Sequence, residues 1–547
     1  MHVLTWKRQG LLALSALLFK GFLAQASAAD APPLRFDVMT YVVNGNTVLT
    51  ERDIEKAVYP FLGPDKTVTD VEAARKALEK VFQDKGYLSV AVNLPVQQVS
   101  SGDVVLEVVE APVAKLRIEG SQYHLPSRIA DNLPSLAPGQ VPHFPAVQAD
   151  LAAIQQASPD LHITPLIAAN ETGRQIDVTL KVEDQVPVHG SVELNNKQTF
   201  NSRAGRLAAS ASYDNLFQRG HSIGLSWNYA PQRPADANSL SFNYMVPVGR
   251  DNQWRLSWTH SDTDTPTEVG GSTITKGDTV GLHWQHELST HGDSGYSHQF
   301  GLGVDIKHNR DANRDVGANF VTEKPALRYP ALVMRYNLSM FEDSGQFSNF
   351  SAALTVGTDG LGSRQVRCLP GDLELTDQFA CKRVGALASF QALRLGWTRR
   401  APLYKDWRLN LAADMQLASG PLASPEQFGA GGAESVRGYY DYEQVGDQGW
   451  TARAEVATPP WTVVHTRLNG LVFWDRAALR TFQAQTGQFP TVQMGSTGVG
   501  LRGENGSGLQ LALDIASPIF PTYKVNDSSK LERTHAPRWN LSVKQAF

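Results

Sequence analysis

The chain ends on the stretch WNLSVKQAF, residues 539–547, in which apolar and polar side chains alternate. Positions 539, 541, 543 and 547 are apolar, whereas positions 540, 542 and 544 are polar. Successive side chains of a β-strand point to opposite faces, so this period of two predicts a strand with one apolar and one polar face. The stretches 407–417 and 509–515 alternate in the same way.

Sixteen such segments follow one another after Pro187. They begin near residues 187, 203, 220, 238, 252, 275, 296, 323, 346, 385, 406, 449, 466, 492, 508 and 538. Their connections alternate between short turns, such as 249–252, and long loops, chiefly 360–384 and 420–448. A soluble sandwich also has alternating strands, but it gives no reason for long and short connections to alternate. Residues 187–547 are therefore predicted to form an all-β 16-stranded transmembrane β-barrel, with a lumen wide enough for an extended chain.

Residues 36–185 have a different pattern, with helical periodicity between short strands. The order strand, helix, helix, strand, strand occurs twice, in residues 36–112 and 113–185. In the first copy a second helix is expected to begin at a cap formed by Thr69 or Asp70. Two α+β repeats are therefore predicted ahead of the barrel.

The first 28 residues have the features of a secretory signal peptide. Lys7 and Arg8 precede a short apolar core at 11–19, and Ala26-Ser27-Ala28 is a small-residue cleavage site. Cleavage after Ala28 leaves about seven residues before the first strand and directs the chain to the cell envelope.

Composition excludes several classes of protein. The 50 basic and 54 acidic residues leave a formal charge of -4, which gives no general attraction for nucleic acid. A mean hydropathy of -0.27 is atypical of a bundle of membrane helices.

The two cysteines, Cys368 and Cys381, lie close together in a segment that contains Gly and Pro. In an oxidising compartment a small disulfide loop is expected. Two thiols do not supply the four or so ligands of a typical zinc site, so no metal is expected.

Two strings resemble enzyme motifs only in spacing. Residues 498–503, GVGLRG, have the glycine spacing of a dinucleotide loop, but they lie inside a predicted strand that is followed by another strand and not at a strand-to-helix turn. His286 and His291 are five residues apart, whereas a zinc-protease helix needs four. No Gly-x-Ser-x-Gly occurs and no convincing serine or cysteine nucleophile constellation is found, so we expect no catalytic residues.

One long loop carries the stretch GGAESVRGY, residues 431–439. It is either a solvated surface loop or a loop folded into the lumen, where Arg437 needs a buried acid. The strand FWDRA, residues 473–477, offers one. Alternation directs Val472 and Trp474 to lipid and turns Phe473 and Asp475 inward, because a charge facing lipid is costly.

Val436-Arg437-Gly438-Tyr439, with the Phe-x-Asp-x-small pattern at 473–477, resembles the paired motifs of the outer-membrane insertase superfamily. Two repeats ahead of sixteen strands resemble its two-partner secretion branch, the TpsB-type transporters of the haemolysin secretion/activation family. The resemblance implies that residues 36–112 and 113–185 are periplasmic POTRA repeats. It also implies that Arg437 anchors the surface loop by pairing with Asp475.

The same resemblance implies the partners and the location. The repeats capture the amino-terminal secretion domain of one large exoprotein, of adhesin or haemolysin type. The barrel, embedded in outer-membrane lipid, then passes the unfolded exoprotein to the surface without a nucleotide. Neither nucleic acid nor a cofactor is involved.

Members of this branch often carry an amino-terminal plug helix, for which the seven or so residues after Ala28 leave no room. We therefore expect the 420–448 loop to close the resting pore. Two alternatives remain at this stage. One is an insertase that assembles other barrels, which typically has more repeats, and the other is a passive porin, which has no use for two periplasmic repeats.

Overall fold

A computed structural model describes residues 34–547 except 100, 159, 172, 201, 250, 267–271, 289–294, 315–320, 324, 343–344, 370, 486–488 and 526–530. The predicted signal peptide, residues 1–28, lies outside the described residues. Within them, no helix is both long enough and apolar enough to cross a membrane.

The first folded unit is an α+β domain. It contains β1 (Arg35–Val38), β2 (Thr40–Asn44), α1 (Glu51–Val58), β3 (Gly63–Thr67), α2 (Val68–Asp84), β4 (Val90–Asn93) and β5 (Asp103–Glu110). β5 lies between β2 and β4, parallel to β2 and antiparallel to β4. Leu78 and Phe82 of α2 are buried in one cluster with Leu106 and Val108 of β5, so the helix covers one face of the sheet.

The start of α2 differs from the prediction. Thr67, not Thr69 or Asp70, is the N-cap, and Asp70 is the third residue of the helix. The backbone N–H of Asp70 donates to the Thr67 hydroxyl, and the Asp70 carboxylate accepts from the backbone N–H of Thr67 at 2.8 Å. This reciprocal capping box satisfies two backbone donors, so the helix begins two to three residues earlier than predicted.

The second unit contains β6 (Val113–Glu119), α3 (Pro126–Asp131), α4 (Phe144–Ala157), β7 (Leu161–Ala169) and β8 (Ile176–Asp184). Its sheet has the order β6-β8-β7, in which the last strand is central, as it is in β2-β5-β4.

A glycine turn follows the first sheet strand of each unit. Gly45 has φ 85°, and a Cβ there would collide with the carbonyl oxygen of Val108. Gly120 has φ 90°, and a Cβ there would collide with the carbonyl oxygen of Val182. Only glycine fits such a position without strain.

An acidic side chain caps each of these turns. The Glu110 carboxylate accepts from the backbone N–H of Thr47 at 2.6 Å and of Val48 at 3.2 Å. The Asp184 carboxylate accepts from the backbone N–H of Gln122, Tyr123 and His124 at 2.7–3.1 Å. In both units the acid lies two residues after the valine whose carbonyl oxygen the glycine approaches. Hydrogen bonds to a carboxylate are among the stronger ones, so each acid fixes its turn.

The remaining chain forms a closed antiparallel β-barrel with hairpins and two short helices in its connections. In chain order these are β9 (Val188–Asn195), β10 (Arg206–Leu216), β11 (His221–Tyr229), β12 (Ala237–Val248), β13 (Asn252–Pro266), β14 (Ser272–Leu288), β15 (Tyr296–Arg314), β16 (Val321–Glu323), β17 (Leu327–Phe341), β18 (Phe347–Val356), α5 (Asp359–Gly362), β19 (Gln365–Val366), β20 (Thr376–Asp377), α6 (Gln378–Lys382), β21 (Gln391–Pro402), β22 (Arg408–Ala418), β23 (Phe428–Ala430), β24 (Gln444–Gly446), β25 (Gln448–Ala457), β26 (Trp461–Val463), β27 (Thr466–Arg480), β28 (Thr491–Asn505), β29 (Leu509–Pro518), β30 (Thr522–Val525), β31 (Leu531–Thr534) and β32 (Arg538–Ala546).

Sixteen long strands close the barrel, because each pairs with the next and β32 pairs with β9. β16 and β26 are three-residue extensions that pair with β15 and β27. The other short strands form hairpins inside the connections. The predicted 16-stranded barrel is confirmed.

The two faces of the strands separate as alternation predicts. On β27, Val472 and Trp474 are 55% and 45% exposed, whereas Phe473 and Asp475 are 5% and 0% exposed. The exposed apolar side chains form the outer, lipid-facing surface, and the buried ones face the lumen.

The strand predicted to begin near residue 385 is present, but it begins six residues later than predicted, at Gln391. Residues 386, 388 and 390 are buried and Leu387 is exposed, which is the alternation that suggested a strand. They pack in a cluster with Tyr329 and Phe379 instead of joining the ladder, and β21 begins only at Gln391. The alternating burial of residues 386–390 thus resembles that of a strand, although these residues do not pair with another strand.

Candidate functional site in the barrel lumen

The connection between β22 and β25, residues 419–447, folds back into the barrel. β23 and β24 pair as a hairpin within it, and the segment 431–443 forms its tip. Gly431 and Gly432 have φ of 111° and 93°, a conformation in which a larger side chain is strained. Apolar residues of this loop pack on lumen-facing residues of β27 and β28: Ala430, Val436 and Tyr439 against Ala477, Leu479 and Met494.

Arg437 lies at the centre of the loop tip and contacts Asp475 on β27. Its Nε donates to Asp475 Oδ2 at 2.8 Å and its Nη2 to Asp475 Oδ1 at 2.7 Å. The backbone N–H of Arg437 also donates to Asp475 Oδ2, at 3.1 Å. Arg437 is 1% exposed and Asp475 is fully buried. Two parallel bonds from a guanidinium fix direction as well as distance, so the loop has one defined position on the wall.

Two further carboxylates, which sequence reasoning missed, surround the same guanidinium. Arg437 Nη1 donates to Glu455 Oε1 at 2.6 Å and lies 3.8 Å from Asp514 Oδ1. Arg502 pairs with Asp514 at 2.8 Å, so the cluster holds two cations among three acids. The signal was available, since Glu455 and Asp514 are isolated acids at inward positions of alternating strands.

The neighbours of Arg437 in the predicted motif also have defined contacts. Val436 is fully buried in the apolar cluster. Gly438 has φ 90° and lies close to Ala516. The Tyr439 hydroxyl donates to the carbonyl oxygen of Phe520 at 2.7 Å and accepts from the backbone N–H of Gly495 at 3.2 Å.

Phe473, the first residue of the predicted wall motif, stacks on the guanidinium. Arg437 Cζ lies 3.5 Å from the centre of the Phe473 ring. A Cβ at Gly498 would collide with that ring, so this glycine makes room for Phe473. The glycines of residues 498–503 lie within β28, between two strands, and serve the packing of the wall.

A second buried ion pair joins three surface connections. Arg383 of the connection 357–390 makes a bidentate pair with Asp447, one bond being 2.7 Å. Asp447 also accepts from the backbone N–H of Leu422 at 2.9 Å and of Phe482 at 2.7 Å. The loop that carries Arg437 is therefore attached to its neighbours on both sides.

The connection 357–390 also contains the two cysteines. Cys368 and Cys381 form a disulfide with Cα atoms 5.1 Å apart. Gln378, nearly fully buried, donates to the carbonyl oxygen of Arg328 and accepts from its backbone N–H at 3.0 Å. The amide holds this connection against β17, and the disulfide closes a loop within the connection.

A row of hydroxyl groups lines another part of the lumen, across β9 to β14. It consists, at one register level, of Ser191, Ser210, Ser226, Ser241, Thr259 and Thr279. Their sequence neighbours Val192, Trp227 and Trp258 are exposed on the outer face. This row is therefore polar, uncharged and made of small side chains. Among the described residues, no three His, Cys, Asp or Glu side chains are grouped as metal ligands.

Residues 175–503 match the family model described as haemolysin secretion/activation protein ShlB/FhaC/HecB, which is more than half of the chain. The chain belongs to this family. Residues 36–111 match the ShlB-type POTRA domain. The protein is thus an outer-membrane transporter of the two-partner secretion type, with a POTRA domain ahead of its barrel.

Individual proteins are similar to this chain in sequence or in fold. The outer membrane transporter CdiB of Escherichia coli is 23% identical over 448 residues, which are 79% of this chain and 70% of that protein. A solved structure of CdiB from Escherichia coli has a TM-score of 0.66 at 19% identity, covering 96% of this chain and 93% of that one. BamA from Haemophilus ducreyi, lacking POTRA domains 1–3, has a TM-score of 0.51 at 15% identity and covers 94% of this chain. These two structures agree with the fold described above.

Proposed function

We propose that this family member captures one large exoprotein in the periplasm by its amino-terminal secretion domain and passes it, unfolded, through the lumen to the surface. No nucleotide drives the transfer. Folding of the exoprotein outside makes it irreversible. Capture, passage and closure of the pore are assigned to different parts of the chain.

Capture is assigned to two POTRA repeats, residues 36–112 and 113–185. The second repeat is supported by its sheet order and by the turn that it shares with the first. Gly45 with Glu110, and Gly120 with Asp184, occupy corresponding positions and make the same contacts. A glycine and an acid in matching places indicate that the second unit is a copy of the first.

An edge strand of the second repeat is the proposed docking point. β7 lies at the edge of its sheet, is nine residues long and exposes Leu166 and Ile167. Such an edge can accept an extended client strand through main-chain hydrogen bonds, with side-chain contacts adding selectivity. β4, the corresponding edge in the first repeat, has only four residues.

Passage is assigned to the polar side of the lumen. The hydroxyl row at Ser191 to Thr279 offers donors and acceptors to a moving backbone, and it has no charges that would hold a client segment in place. An unfolded chain can cross a membrane only where its amides remain hydrogen-bonded, which a polar lumen allows.

Closure in the resting state is assigned to the loop 419–447. The observation that supports it best is the Arg437–Asp475 pair, which holds the loop tip against the lumen wall. The loop must move aside for an exoprotein to pass. By this assignment Val436, Arg437, Gly438 and Tyr439 are the lumenal motif, and Phe473 and Asp475 are its partners on the wall.

The test is export of a candidate exoprotein, a large and repeat-rich secreted protein to be sought in a neighbouring reading frame. Cells with the chain should release it or display it at the surface, and cells without the chain should retain it in the periplasm. If the exoprotein stays in the periplasm in both while other barrel proteins change in amount, the chain is an insertase. Uptake of small solutes with no effect on the exoprotein would indicate a passive porin.

A further inference from the structure

The first and last strands of the barrel meet at a short seam. Residues 191–195 of β9 pair with residues 542–546 of β32. At the periplasmic end, Gly190 and Phe547 exchange two backbone hydrogen bonds, at 2.9 and 3.0 Å. The seam is thus well closed where the chain enters and leaves the barrel.

Towards the surface the seam loses its backbone pairing. The last backbone bond runs from the N–H of Asn196 to the carbonyl oxygen of Leu541 at 3.1 Å. The Asn196 side chain adds two bonds, donating to the carbonyl oxygen of Trp539 at 2.9 Å and accepting from the backbone N–H of Leu541 at 2.8 Å. Beyond Asn196 the segment that continues β9 and the start of β32 diverge around a cavity of about 230 Å³. Its lining includes Gln198, Asp441 and Asn540.

Beyond Asn196, the loop 419–447 takes the position next to the continuation of β9 that β32 would otherwise occupy. The backbone N–H of Asp441 donates to the carbonyl oxygen of Gln198 at 3.0 Å, and Thr199 and Asp441 form a parallel bridge. Lys197 pairs with Glu434 of the same loop at 2.7 Å. The segment that continues β9 therefore pairs with the loop rather than with β32.

Tyr440 joins both sides of the seam. Its ring meets the Phe200 ring edge to face, with centroids 5.4 Å apart. On the other side Arg538 Cζ lies 3.5 Å from the Tyr440 ring centre. Phe200 follows β9 and Arg538 begins β32, so one loop residue contacts both chains where they no longer contact each other.

We propose that Tyr440 and Asp441 are positioning residues that hold the surface end of the barrel seam closed. They couple the loop to the seam, so the loop cannot leave the lumen without freeing the continuation of β9 from its partner. The proposal depends on the proposed function only in that the loop must move during export.

The two attachments of the loop differ in chemistry. Arg437 is fully desolvated and held by a bidentate pair with Asp475, whereas Tyr440 is half-buried and held by ring contacts. Ring contacts at a half-exposed site are weaker than a buried charged pair. The ring contacts of Tyr440 are therefore expected to be released before the Arg437–Asp475 pair.

The test is the resting conductance of the purified full chain in planar bilayers. Tyr440→Ala should raise it at least about threefold, because the seam and the loop tip become free to move. Tyr440→Phe keeps the ring and should conduct like wild type, which separates the ring contacts from a general effect of substitution. Arg480→Gln removes an arginine–ring contact away from the seam, in which Arg480 Cζ lies 5.1 Å from the Phe482 ring centre, and it should also leave the conductance unchanged.

An engineered disulfide across the seam, called the lock below, tests whether the seam is the element that opens. Asn195 and Ser542 are the last pair before the Asn196 bridge. By alternation from the doubly bonded Gly190–Phe547 pair, they are a non-hydrogen-bonded pair with the close spacing that suits a disulfide. In Tyr440→Ala, the added pair Asn195→Cys and Ser542→Cys should return the conductance to the wild-type level when oxidised.

Wild-type conductance in Tyr440→Ala would overturn the proposal, as would raised conductance that the oxidised lock does not suppress. Reduction also opens the native Cys368–Cys381 disulfide, so the wild-type chain is measured with and without reductant. The assay needs no exoprotein, and export by the wild-type chain is scored separately. A failure of this inference is therefore distinguishable from a failure of the proposed function.

Discussion

Arg437 and Asp475 are 38 residues apart in the chain, and their side chains are joined by hydrogen bonds of 2.8 and 2.7 Å. One belongs to a surface connection and the other to the wall of the barrel. Both are buried, so neither charge is compensated by water. A loop that could have extended into the medium is instead fixed inside the lumen by this contact.

Arg437→Lys is expected to destabilise the closed loop strongly. A lysine cannot make the bidentate contact, and the Asp475 carboxylate is left poorly paired in a buried site. Breaking a buried pair in this way costs about 3–5 kcal/mol. The free energy of unfolding, measured in denaturant, should fall by this amount. The same change at Arg255, which faces the lumen and bonds Gln285 only at 3.5 Å, should cost little.

Closure by the loop is expected to weaken as pH rises towards 7. Burial raises the pKa of Asp441 to about 6 from an ordinary value of 3.8, although Lys197 and Arg206 favour the carboxylate and Glu434 opposes it. Between these pH values the folded protein holds a proton that the unfolded chain releases. The contribution of Asp441 to stability is therefore greatest below about pH 4 and is lost as pH rises through about 6.

Resting conductance measured at pH 5 and pH 7.5 checks this pH dependence. The wild-type chain should conduct less at pH 5. Asp441→Asn should reduce the difference, and Glu374→Gln, at an exposed acid of another loop, should keep it. Equal pH dependence in all three chains would show that Asp441 does not set it.

Asp184→Asn is expected to loosen the turn at residues 120–124. Burial favours the neutral acid, but hydrogen bonds from the backbone of Gln122, Tyr123 and His124 outweigh it and lower the pKa of Asp184. Its contribution to stability is therefore present above the ordinary pKa of 3.8 and is lost as pH falls through the lower folded value. Losing hydrogen bonds to a charge costs about 1.5–3 kcal/mol.

Hydrogen exchange in the full chain measures that cost. At neutral pH the amides of residues 122–124 should exchange about 10 to 100 times faster in Asp184→Asn, as the free-energy loss implies. Glu183→Gln, at the exposed neighbour, is the matched control. Unchanged protection in Asp184→Asn would mean that the turn is held by its backbone alone.

Replacing Cys368 and Cys381 by serine is expected to loosen one surface connection without preventing barrel assembly. The bridge joins cysteines with a sequence separation of 13. A disulfide that closes a loop of about this size stabilises the folded state by about 3 kcal/mol. Limited proteolysis of intact cells should cut the 357–390 connection faster in the double variant, while barrel insertion is unchanged. Failure of the barrel to insert would show that the disulfide is needed for assembly and not only for the loop.

Strands and their faces were predictable because alternation is a local property. Val472 to Asp475 alternate as required, and the outward and inward directions follow directly from the cost of a charge facing lipid. The Arg383–Asp447 pair had no such signal, because it joins connections whose paths depend on tertiary packing. The start of β21 was predicted too early for the same reason, because the alternation of residues 386–390 reflects packing on Tyr329 and not pairing in a sheet.

The contacts around Arg437 were predictable only in part. Alternation directs Asp475, Glu455 and Asp514 alike into the lumen, but it does not say which of them Arg437 selects. Register across β25, β27, β28 and β29 brings the three acids together, and register is set by the whole barrel. The seam contacts of Tyr440 depend in the same way on closure of β32 against β9.

The most direct test of the central claim is export of the candidate exoprotein by Arg437→Ala and Arg255→Ala chains, with barrel insertion checked in parallel. Arg255→Ala removes a lumen-facing arginine that does not hold the loop, so export should match wild type. Arg437→Ala should insert and yet fail to export. Full export by a correctly inserted Arg437→Ala chain would contradict the claim that its pairing with Asp475 positions the loop for transport.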